Sequence, residues 1–154
     1  MKRTYLLYLS IVVLFLLLGF LRDFLFVNIN YQASIAYYNA PNEHYMPTSL
    51  NFIETWSYKK LYYTKWLLTL VFAVVYSTIT FGSIKYFFKQ KSYNKITLGI
   101  YLLLVVIAFS SYLFGLFFNE YIKGYSIARQ IMGLVQSPLV LMILLPAFML
   151  DSKK

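Results

Sequence analysis

Cysteine is absent from this 154-residue chain. Disulfides, thiolate metal sites and a cysteine nucleophile are thereby excluded. Histidine occurs once, as His44, which rules out a histidine-rich metal cluster. Acidic side chains are scarce, five against fourteen basic ones, and the net charge is +9. The sequence has no GxSxG, HExxH, P-loop or dinucleotide fingerprint, and no inverted repeat of the transporter type. Neither a cofactor nor a metal is expected, and no catalytic residue stands out.

What the chain has in excess is apolar surface. Apolar residues make up 60% and charged residues 12%, against roughly 45–50% and 25% in soluble domains. So much apolar surface cannot be covered by the core of one small water-surrounded domain. Lipid is the solvent it fits, and the bilayer is the first expected partner. The basic excess could suggest nucleic acid, but no basic recognition motif is present. The lysines and arginines sit between apolar segments, where they set topology and meet anionic headgroups. Nucleic acid is not an expected partner.

A helix needs about 20 apolar residues to cross the hydrocarbon layer. Four stretches meet this, at residues 5–27, 66–84, 96–119 and 130–150. They are continuous apolar runs without the alternation of a barrel strand, and a lone strand in lipid would leave its backbone unpaired. The expected fold is all-α: a single polytopic membrane domain over 1–154, with four spans and an outer loop at 28–64. The first span has a basic start, Lys2-Arg3, and no small-x-small cleavage site, so it reads as a retained signal anchor.

Orientation follows the basic residues of short loops. With the N-terminus inside, eight fall on the cytoplasmic side, including Lys85, Lys89, Lys91 and Lys95 between spans two and three, and six fall outside. This predicts a multi-pass protein of the bacterial inner membrane with both termini cytoplasmic.

The outer loop is rich in tyrosine and tryptophan, which favour the membrane–water boundary. From Thr48 it reads as a short amphipathic helix with Leu50, Ile53, Trp56 and Leu61 near one face, and Asn51 with Glu54 at capping-box spacing. An interfacial helix leading into span two is one reading, and a lid or docking platform the other. His44 beside Glu43 invites an acid/base role, but adjacent residues on a turn-rich loop supply neither pocket nor oriented partner. Glu54, His44 and Trp56 are the loop's candidate residues.

Ionisable groups inside spans are costly and therefore informative. Here they gather at the outer ends: Arg22 and Asp23 on span one, Glu120 on span three, and Arg129, Gln130 and Gln136 on span four. Arg22 could pair with Glu120 and Asp23 with Arg129, or each could snorkel to the headgroups. Pro138 and Pro146 should kink span four, with Gln136 and Ser137 free to satisfy the carbonyl that Pro138 leaves. A kinked polar helix lines a cavity or serves packing. Spans two and three carry Thr78-x-x-x-Gly82 and Ser111-x-x-x-Gly115, a spacing that allows close approach. It predicts a tight antiparallel pair of these two spans.

Two stretches resemble a known family. Leu21-Arg22-Asp23-Phe24-Leu25-Phe26 is similar to an Arg–acid pair followed by an aromatic exit. Arg129 through Gln136-Ser137-Pro138-Leu139 to Leu145-Pro146-Ala147-Phe148 resembles a helix with Arg, Gln-Pro and Pro-Ala-Phe, with Ser137 inserted here between Gln and Pro. Both resemble segments of the exosortase F system-associated membrane proteins, small four-span bacterial proteins encoded beside an exosortase-type membrane transpeptidase. The resemblance implies an accessory role in surface-protein sorting or processing, with other membrane-protein subunits as partners. The chain cannot be the transpeptidase itself, whose nucleophilic cysteine has no counterpart here. Two other expectations stand beside it. One is an outer-leaflet enzyme or binding site for a lipid-linked anionic ligand. The other is a small oligomeric channel or transporter.

Overall fold

The computed structural model describes residues 2–38 and 46–152, and among these every regular element is helical. The order is α1 (Lys2–Tyr38), a 3-10 helix (Thr48–Ile53), α2 (Tyr58–Phe87), α3 (Lys91–Phe117), α4 (Tyr121–Val135) and α5 (Leu139–Asp151). Three helices, α1, α2 and α3, are long and apolar enough to cross a membrane. The pair α4 and α5 makes a fourth if counted as one span, its halves bent by 52°. The all-helical, apolar architecture is that of a membrane protein. The chain divides into two compact units, Met1–Val71 and Phe72–Lys154.

In the first unit α1 has 37 residues, about 55 Å at 1.5 Å per residue. That exceeds the roughly 30 Å of hydrocarbon. Its first part is apolar on every side and mostly exposed or half-exposed, with Phe15 buried. The helix continues past Val27 through residues 28–38, where polar side chains appear. There it changes character, because it now has a partner. Ile29 and Ala33 are buried with Met46, Leu50, Ile53 and Leu61, and Leu25, Ala36, Trp56 and Leu68 flank them. Ile29 and Ala33 are four apart and so share a helix face.

The segment from Thr48 was expected to form an amphipathic helix. It is a six-residue 3-10 helix, closed by Leu50 N–H to Pro47 C=O at 2.8 Å and Glu54 N–H to Asn51 C=O at 3.1 Å. Asn51 does not cap it; the residue before its first turn is Pro47, which makes no side-chain cap bond. The grouping of Leu50, Ile53, Trp56 and Leu61 does occur, but as a core under a tight turn. Short 3-10 pieces of this kind serve as connectors, and four residues separate this one from α2.

In the second unit α3 turns back into α4 within three residues. Asn119 takes the left-handed conformation at φ 56°, which Asn tolerates better than most residues. Glu120 N–H then donates to Gly115 C=O at 2.9 Å, the 6→1 bond of a Schellman ending. The two helices meet at glycine. A Cβ on Gly124 would lie 2.6 Å from Gly115 Cα and 2.7 Å from the Ser111 carbonyl oxygen; one on Gly115 would lie 2.8 Å from Gly124 Cα. The Ser111-x-x-x-Gly115 motif therefore serves α3 and α4, not spans two and three. Gly82 has no atom within 4 Å of its would-be Cβ, and the Thr78 hydroxyl donates to its own Val74 carbonyl at 2.7 Å.

What joins α2 to α3 is larger side chains. Tyr101 O–H donates to Thr80 Oγ1 at 2.9 Å, with both residues buried. Beside the lysine-rich turn, Phe88, Tyr93 and Phe148 form an aromatic clasp in which Tyr93 and Phe148 stack at 4.3 Å. Tyr93 O–H also donates to Asp151 Oδ2 at 2.9 Å. Thus α3 is met near one end by α4 and near the other by α5.

Candidate functional site

The loop candidates differ in fate. His44, with Glu43, lies outside the described residues. Trp56 is half-buried against the core of the first unit and carries Lys60 Nζ at 3.9 Å from its ring centroid, a cation–π contact. Glu54 is exposed, and its backbone carbonyl accepts from Gln32 Nε2 at 3.0 Å. Gln32 is buried, and its Oε1 has no partner. Asn28, one turn earlier and also buried, donates to its own Phe24 carbonyl at 2.7 Å. The sequence reading missed both residues. Two amides four apart on the continuation of an apolar helix were the available signal.

The ionic candidates pair locally. Arg22 Nη1 meets Asp23 Oδ1 at 3.1 Å, and the guanidinium also sits 5.4 Å from the centre of the Phe26 ring. Glu120 Oε2 meets Lys123 Nζ at 2.7 Å, one turn on. Both pairs are largely exposed and hence weak. Among the described residues, no three acidic or histidine side chains come together.

No known family model, curated protein or solved structure matches the chain. What it does must be sought in its own geometry, and there α4 is the unusual element.

Gly124 and Val135 mark the side of α4 that is buried. At 100° per residue, Ser126, Gln130, Gly133 and Ser137 fall on the opposite side, flanked by Lys123 and Arg129. Ser126, Arg129 and Gln130 are exposed. Arg129 makes no ion pair or hydrogen bond among the described residues. Gly133 has nothing within 4 Å of a would-be Cβ, which leaves a shallow notch in this face.

The stripe ends where the helix breaks. Pro138 has no N–H for the Leu134 carbonyl. Ser137 takes that carbonyl instead, with its N–H at 3.2 Å and its hydroxyl at 2.8 Å. The same hydroxyl accepts from Leu139 N–H at 3.3 Å. Gln136 is buried at the bend. Pro146 sits inside α5, which runs on to Asp151.

Proposed function

We propose that this chain is a small accessory subunit or assembly factor of a bacterial inner-membrane complex, with four spans and both termini cytoplasmic. Counting α4 and α5 as one broken span is supported by their contacts with α3. Gly124 touches Gly115, while Phe148 and Asp151 reach Tyr93. Those two points on α3 are 22 residues apart, about 33 Å, which is a full bilayer crossing. A loop that turned back halfway would not reach both.

The observation that carries the accessory role is the exposed polar face of α4. In the four-span reading Arg129 lies about 12 Å below the start of α4. A cation facing lipid costs about 2.5–3.5 kcal/mol at the helix centre on insertion scales and less toward an end, where Arg129 lies. Cover from another membrane protein removes that cost, and the Gly133 notch admits a close helix. The local Arg22–Asp23 and Glu120–Lys123 pairs favour this over the outer-leaflet enzyme, which needs those carboxylates free around a substrate. The chemistry of the complex is surface-protein sorting or processing, the role implied by the resemblance of spans one and four.

A photo-crosslinking amino acid at Ser126 or Gln130, activated in cells, tests the reading. A discrete protein adduct is expected there and not from Ile143, an exposed apolar control position. Loss of the adduct in the Arg129→Ala background completes the expected pattern. Adducts with lipid alone from both faces contradict it.

A further inference from the structure

The turn between α2 and α3 carries four lysines within eleven residues, Lys85, Lys89, Lys91 and Lys95. All four are exposed, and none makes an ion pair or hydrogen bond among the described residues. Lys85 closes α2, Lys89 lies in the turn, and Lys91 with Lys95 stand one turn apart at the start of α3. The turn is held by Phe88, Tyr93 and Phe148, which are buried against one another while the lysines are exposed. Asp151, the one carboxylate brought here among the described residues, is already engaged by the Tyr93 hydroxyl.

The start of α3 adds to the positive charge. A helix N-terminus carries a partial positive charge and favours anions. Here it has Lys91 as its first residue, no acidic residue in its first turn, and no side-chain cap from Gln90. Basic residues at this end oppose the helix dipole. Asn94, on the same face as Lys91 and Lys95, has its Oδ1 buried with no partner.

We propose that this turn binds the phosphodiester headgroups of anionic phospholipids. It sits at the ends of two helices apolar enough to cross a membrane, so the lysines meet the headgroup layer. Each lysine clamps phosphate oxygens by charge-assisted hydrogen bonds. This inference rests on the membrane reading and not on the accessory role.

Native mass spectrometry of the purified full chain tests it, with phosphatidylglycerol and phosphatidylcholine competing at equal concentration. Phosphatidylglycerol should be retained preferentially. Each lysine changed to Gln should weaken retention about fivefold, the worth of one basic residue near an anionic surface. Replacing all four should abolish the preference, while the fourfold Lys→Arg variant keeps it, which separates charge from folding or insertion defects. Circular dichroism checks that both variants remain helical. Millimolar inorganic phosphate at constant ionic strength should leave the lipid bound. Equal retention of the two lipids, an unaffected fourfold Gln variant, or displacement by free phosphate overturns the proposal.

Discussion

The two units of this chain solve the same packing problem by opposite means. In the first, one helix outlasts its apolar part, and Leu50 and Ile53 of a six-residue 3-10 turn, with Leu61 of α2, fill the gap beside it. In the second, two helices close onto each other at Gly115 and Gly124, backbone against backbone. The first unit is held by side-chain volume, as in a water-soluble core, where burial of apolar area is the driving force. The second depends on the absence of side chains, as expected where lipid removes that force and packing contact must replace it. The difference teaches where each part has its environment. Residues 28–38 and 46–61 pack as a small side-chain core, and α3 with α4 as a backbone-to-backbone pair.

The contrast can be broken at single positions. Gly124→Val should do most damage, at or above the ~3 kcal/mol upper end of overpacking costs, because the groups it meets are backbone and cannot rotate away. Reversible unfolding in mixed micelles reads this out. Leu61→Ala, at a position fully buried in the first unit, should cost about 2–3 kcal/mol, the low end for Leu→Ala, since so small a cluster can settle around the gap. Limited proteolysis between residues 46 and 57 should then speed up. Tyr101→Phe removes the buried bond to Thr80 and should cost only about 0.6–1 kcal/mol, a usual value for a hydrogen bond between membrane helices. Gly82→Ala sharpens the comparison from the other side. Its would-be Cβ meets nothing within 4 Å, so it should be neutral or stabilise by up to about 1 kcal/mol through helix propensity.

Apolar runs made the helices legible, because hydropathy reports where lipid is tolerated. It does not report where a helix ends. The continuation of α1 to Tyr38 was hidden by Asn28, Asn30, Gln32 and Ser34, which look like loop residues until Ile29 and Ala33 are seen buried between them. The segment from Thr48 was read as a short amphipathic helix because Leu50, Ile53, Trp56 and Leu61 fit a helical face, yet that pattern also suits a tight turn folded over a core. The glycine contact was half visible. Ser111-x-x-x-Gly115 was noticed, but its partner was assigned to span two. Gly124-x-x-x-Ala128 carries the matching small-residue spacing and lay just ahead of the stretch read as span four. The stripe on α4 was partly legible, since Arg129, Gln130 and Gln136 were singled out. That Arg129 and Gln130 are exposed while Gln136 is buried depends on which side of α4 the glycine faces, and only the tertiary contact fixes that.

The absence of cysteine gives the four-span account its most direct test. Single cysteines at Ser57, Gln90, Glu120 and Ser152, all exposed positions, can be placed without background and probed in intact cells with a membrane-impermeant maleimide. The account predicts labelling of Ser57→Cys and Glu120→Cys from outside, and of Gln90→Cys and Ser152→Cys only after the membrane is opened. Labelling of Glu120→Cys and Ser152→Cys from the same side would contradict it, because α4 and α5 would then enter and leave by one face instead of crossing.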